Sequence, residues 1–110
     1  MKLHFKTKKL KNSLTTDAGL AKTYSTLAKK IKQRIQQLEA ADNLDTIRQI
    51  SVLRLHQHIG NNKGIWSIDI QENWRILFTL GNDPIPYTQD GGVNIKEINI
   101  IRIESVNDPH

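Results

Sequence analysis

The segment IWSIDIQENWRILFTL, residues 65–80, decides the fold. Trp66, Ile68 and Ile70 alternate with Ser67 and Asp69; Gln71-Glu72-Asn73 turns the chain; Trp74, Ile76, Phe78 and Leu80 then alternate with outward-facing Arg75. A period of two with one apolar face marks a half-buried strand. Two such runs joined by three turn residues read as an antiparallel pair. Trp66 and Trp74 run in phase with the isoleucines, so they read as core rather than as base-stacking platforms.

Moving outward, Ser51–Gln57 also alternates, with Leu53 and Leu55 opposite Arg54 and His56, before the breaker run Gly60-Asn61-Asn62-Lys63-Gly64. Residues 81–94 form a loop containing Pro84, Pro86 and Gly91-Gly92, and a last strand is predicted from about Lys96 to Val106. Its apolar phase slips between Ile100 and Ile101, which calls for burial on both faces or a bulge. Upstream, Leu20, Tyr24, Leu27, Ile31, Ile35 and Leu38 recur at steps of three and four, predicting one helix from about Asp17 to Ala41, capped by Thr16 or Asp17. Lys22, Lys29 and Lys32 gather on its far side, flanked by Lys30 and Arg34. Shorter helices are predicted at Lys8–Leu14 and Leu44–Ile50, and an edge strand at the start, where Leu3 and Phe5 alternate with Lys2 and His4. Helices first and strands afterwards read as an α+β fold. The helices would cover one face of a twisted antiparallel sheet. The other face would stay exposed and carry Arg54, His56, Ser67, Asp69 and Arg75.

At 110 residues the chain is expected to be one domain, 1–110. A composition of 37% hydrophobic and 25% charged residues excludes disorder. The absence of cysteine excludes disulfides, thiolate metal sites and a cysteine nucleophile. Met1–Lys6 has no apolar leader core, and no run approaches the roughly 20 apolar residues of a membrane helix, so a cytoplasmic protein without membrane contact is expected. The net charge of +5 is unevenly placed: residues 1–58 hold 12 Lys/Arg against 4 Asp/Glu, and residues 59–110 hold 4 against 7. A basic half fits phosphate binding through counterion release, or a lysine-rich solvated surface.

Among residues suited to chemistry, His56 precedes the glycine turn on a polar strand face, and His110 stands beside Asp108 and Pro109. Imidazole transfers protons near neutral pH. A surface strand residue and an untethered tail are the plain alternatives. Arg75, outward on a strand, offers a planar fork for phosphate, or a cross-strand ion pair with Asp69 or Glu72. His56 and His58 share a strand face, yet a third metal ligand is missing from the sequence, so no metal or other cofactor is expected.

The order Leu55-His56, Gly60, Lys63-Gly64, Trp66-Ser67-Ile68, Trp74-Arg75-Ile76 and Phe78, closing on Asp108-Pro109-His110, resembles the HigB-like branch of the RelE/ParE toxins. The loop Asn82–Pro86 with Asp90-Gly91-Gly92 and the helix text Ala28–Arg34 are similar to the same branch. The resemblance covers nearly the whole chain. It implies a toxin of a type II toxin–antitoxin pair, partnered by a helix-turn-helix antitoxin. It also implies a ribosome-dependent, metal-independent endoribonuclease acting on mRNA. His56 and His110 match the family's acid–base positions, Asp108 its terminal acid and Arg75 its phosphate-facing arginine; Lys22, Lys29, Lys30, Lys32, Arg34, Arg54 and Lys63 are the expected RNA contacts. The chain departs from the pattern at Ile59, where lysine is common, and at Pro109, where tyrosine is common. A gyrase poison of the ParE type and a non-catalytic binding module are the alternatives, and neither needs His56 as an acid or base.

Overall fold

The computed structural model describes residues 1–60 and 64–107. Strand β1 (Lys2–Phe5) leads into helices α1 (Lys8–Thr15), α2 (Asp17–Tyr24), α3 (Ala28–Ala40) and α4 (Leu44–Arg48), followed by strands β2 (His56–Gln57), β3 (Trp66–Gln71), β4 (Trp74–Leu80) and β5 (Ile100–Asn107). They form one five-stranded sheet in the order β1-β5-β4-β3-β2. The fold is α+β, with the helices against one face of a mostly antiparallel sheet. The exception is β1, which runs parallel to β5 in the register Lys2↔Ile100 to Phe5↔Ile103. Four helices between β1 and the other strands make that crossover, and strand alternation alone carries no information about direction.

Each break in the helical layer has a local cause. Thr16 closes α1 by donating to the Asn12 carbonyl at 2.9 Å and opens α2 by accepting from the Gly19 amide at 3.0 Å. A side chain at Gly19 would stand 2.3 Å from that Asn12 carbonyl, so the tight α1–α2 corner requires glycine there. The single helix predicted over 17–41 is interrupted at Ser25, whose φ of 52° starts a 3₁₀ turn through Leu27. The apolar stripe survives the break because Leu20, Leu27, Ile31, Ile35 and Leu38 all reach the core.

The strand predicted over 51–57 is shorter than its alternation implies. Ser51–Leu53 is a 3₁₀ turn that buries Leu53, and Arg54 takes a left-handed conformation (φ 46°) that re-aims the chain. Only His56 and Gln57 pair with β3, as His56↔Ser67 and Gln57↔Trp66. The phase slip near Ile100 is explained by a 3₁₀ turn at Ile95–Glu97: Ile98 is buried before β5 begins, then Ile101 and Ile103 fill the strand's core face. A register shift does occur in β5, later, between the pairs Leu77↔Ser105 and Phe78↔Ile103. Trp66, Ile68, Ile70, Ile76 and Phe78 complete one core with the helices, and Trp74 packs at its margin.

Candidate active site

β2, β3 and β4 turn their polar sides away from the helices. There the side chains of Arg54, Leu55, His56, Ser67, Asp69 and Arg75 enclose a cleft of about 380 Å³. Register assembles it: His56 lies opposite Ser67, and Asp69 lies opposite Arg75. The left-handed turn at Arg54 brings that guanidinium to the same carboxylate. Arg54 Nε lies 3.7 Å from Asp69 Oδ2 and Arg75 Nε 3.5 Å from Asp69 Oδ1.

The two arginines differ in freedom. Arg54 is 76% exposed and Arg75 only 32%. Arg75 Nε is buried and, among the described residues, has no hydrogen-bond partner; its approach to Asp69 is an ion pair without hydrogen-bond alignment. Asp69 therefore orients Arg75 without saturating it. A guanidinium held in this way retains donors for an incoming oxyanion.

Ser67 and Asp69 depart from the expected open face. Ser67 is buried because His58 folds over it, with His58 Nε2 2.9 Å from Ser67 Oγ. Asp69 is only 16% exposed in its side chain, covered by the two arginines. His56 stays exposed, and its ring meets that of His58 edge to face with centroids 4.8 Å apart. Burial, then the neighbouring His56 and Arg75, pushes the His58 imidazole below its ordinary pKa, so it favours the neutral form. His58 is the site neighbour that sequence reasoning set aside; the i, i+2 spacing that puts both imidazoles on one strand face was the available signal.

The basic residues expected to touch RNA separate into groups. Arg34 is a correction: it is 4% exposed and enclosed by the fold. Its Nε donates to the Asp69 carbonyl at 2.9 Å, one terminal nitrogen to the Ile70 carbonyl at 3.3 Å and the other to Gln37 Oε1 at 3.0 Å. Those carbonyls sit where the β3–β4 register shifts between Asp69 and Gln71, so the guanidinium satisfies a bulge rather than a ligand. Lys22 and Lys29 are exposed, Lys30 is half-buried, and Lys32 pairs with Asp17 at 2.8 Å. All four belong to helices on the other side of the sheet from the cleft. Of the described members of this set, Arg54 alone joins His56 and Arg75. Lys63, Asp108, Pro109 and His110 lie outside the described residues. Among the described residues, no group of three or more His, Cys, Asp or Glu side chains converges as a metal site, and no helix is long and apolar enough to cross a membrane.

A helix-covered, mostly antiparallel sheet with an arginine–histidine cleft on its free face defines the structural class. In fold the chain is similar to a mutant of YafQ from E. coli, with a TM-score of 0.54 over 98% of this chain and 92% of that one, at 14% sequence identity. The family model described as a RelE-like toxin of type II toxin–antitoxin system HigB matches residues 3–89. The chain belongs to this HigB-like toxin family. It is also 32% identical over 53 residues to Endoribonuclease HigB of Proteus vulgaris, a match spanning 48% of this chain and 56% of that relative.

Proposed function

We propose that this protein is an endoribonuclease toxin that cleaves mRNA on the ribosome and is neutralised by a helix-turn-helix antitoxin. The observation that carries the reading is the convergence of the Arg75 and Arg54 guanidiniums with exposed His56 in one cleft. Family membership and the name of the Proteus relative support it. RNA is cleaved when a ribose 2′-oxygen attacks the adjacent phosphorus and the 5′-oxygen leaves. The 2′-proton is removed, the leaving oxygen is protonated, and the phosphorane's extra negative charge is stabilised. Arg75 supplies that stabilisation, and Arg54 draws the RNA backbone into the cleft. His56 performs one of the two proton transfers. This chemistry needs no metal.

We assign the second transfer to His110, with Asp108, two residues earlier in the sequence, as the accompanying acid. Asn107 is the cross-strand neighbour of Arg75, so His110 follows only three residues after the site's own register. Three residues span at most about 10 Å. Lys63, Lys22, Lys29, Lys30 and Lys32 serve as peripheral contacts to ribosomal RNA, with a steep salt dependence.

Mapping mRNA 5′ ends in a translating extract, with and without the protein, tests the reading. New ends within codons that vanish with His56→Ala support it. Stalled DNA replication without new mRNA ends would support the gyrase alternative instead.

A further inference from the structure

A side chain that transfers a proton must stay within about 2.6–3.2 Å of the atom it serves. His56 is exposed and stands on a strand of only two residues. An exposed side chain hops between its staggered rotamers in picoseconds to nanoseconds unless something holds it. Among the described residues, the His56 ring has no hydrogen-bond partner. What it rests against is the ring of His58, edge to face, with centroids 4.8 Å apart.

His58 is itself fixed twice. Its backbone amide donates to the Ile65 carbonyl at 2.9 Å, which carries the β2–β3 pairing one residue past Gln57. Its Nε2 lies 2.9 Å from the hydroxyl of Ser67, a residue only 1% exposed. Ser67 is also the cross-strand partner of His56. One buried hydroxyl therefore anchors the ring against which the His56 imidazole rests. The cleft is walled by Arg54, Leu55, His56, Ser67, Asp69 and Arg75, so His58 reaches the chemistry through His56 and not directly. Burial, then the charges of His56 on its own strand and Arg75 on β4, favours the neutral form of His58.

We propose that His58 is a positioning residue: anchored on Ser67, its ring holds the His56 imidazole toward the cleft that Arg54 and Arg75 share. A neutral neighbour also lets His56 take up a proton without repulsion from a second imidazolium. The pair then carries one charge through the reaction, and that charge sits on His56. The inference rests on the nuclease reading above and adds to it a residue that acts without touching the RNA.

The test uses the full chain as wild type, His58→Phe, Ser67→Ala and the double variant. Phenylalanine keeps a ring beside His56 but loses the anchor. Alanine at position 67 removes the anchor with little change in volume, so it keeps the test valid if His58→Phe does not fold. NMR three-bond couplings of the His56 side chain should report one χ1 rotamer in the wild type and averaging in the variants, with the amide shifts of β3 and β4 unchanged. On translating ribosomes, kcat for mRNA cleavage should fall about tenfold in each single variant, with KM within about twofold. The double variant should be no worse than the weaker single one, because both changes cut the same anchor. The proposal is overturned if His56 keeps one rotamer in either folded variant, if either cleaves with the wild-type kcat, or if the two losses add. Wild-type protein that cleaves no mRNA at all withdraws the nuclease reading and this role with it. Cleavage by the wild type that the variants match withdraws the role of His58 alone.

Discussion

Arg34 and Arg75 both approach Asp69, and their fates diverge. Arg34 comes from α3 on the core side and takes the backbone carbonyls of Asp69 and Ile70 at the β3 bulge. Arg75 comes from β4 on the free side and meets the Asp69 carboxylate without a hydrogen bond. The first guanidinium completes the fold; the second is held in place with donors to spare. Sequence charge alone treats them as equivalent. What separates a structural arginine from a ligand-facing one is whether the fold consumes its donors.

The largest consequence concerns stability. Arg34→Met keeps the packed stem but strands two carbonyls, at a cost of about 2 to 4 kcal/mol by urea unfolding. The same change at Arg75 is expected to shift stability by no more than about 0.5 kcal/mol. Equal losses at the two positions would abolish the distinction between them.

Asp69→Asn sharpens the contrast further. The backbone carbonyl that Arg34 uses is untouched, so urea unfolding should change by less than about 1 kcal/mol. The charge orienting Arg54 and Arg75 disappears, and RNA cleavage should fall by about tenfold, as expected when a positioning interaction is lost. Cleavage at the wild-type rate would show that Asp69 orients nothing of consequence.

The strands β3 and β4 were legible because their alternation is strict and a polar turn separates them. The helical layer was legible as a stripe but not as three pieces, since the left-handed turn at Ser25 has no glycine to announce it. The direction of β1 was hidden because alternation shows which side chains face the core, not which way the strand runs beside β5. In the site, His56, Arg75 and Arg54 were readable from their polar phase on strand-like runs. Arg34 was misread because it sits at the flank of a lysine-rich face, and only the β3 bulge creates the carbonyls that draw it inward. His58 was passed over because its role comes from contact with Ser67, nine residues away on another strand.

The smallest effect is one of pH. The folded state holds His58 below its ordinary pKa, so the unfolded chain binds more protons between that lowered value and about pH 6.5. His58 therefore contributes a stability loss as pH falls below about 6.5, continuing until the folded imidazole is also charged. His58→Asn should flatten this part of the stability profile in urea titrations run at a series of pH values. A profile with unchanged slope would mean that His58 titrates alike in both states.

The proposed role of Arg75 in binding phosphate is tested most directly by cleavage of a single mRNA on translating ribosomes, comparing wild-type protein with Arg75→Met. Circular dichroism and urea unfolding first establish that both are equally folded. The wild type is expected to cleave and the variant to lose about 100-fold or more, the scale on which removing one transition-state donor acts. Cleavage within a few-fold of wild type by the folded variant would contradict it.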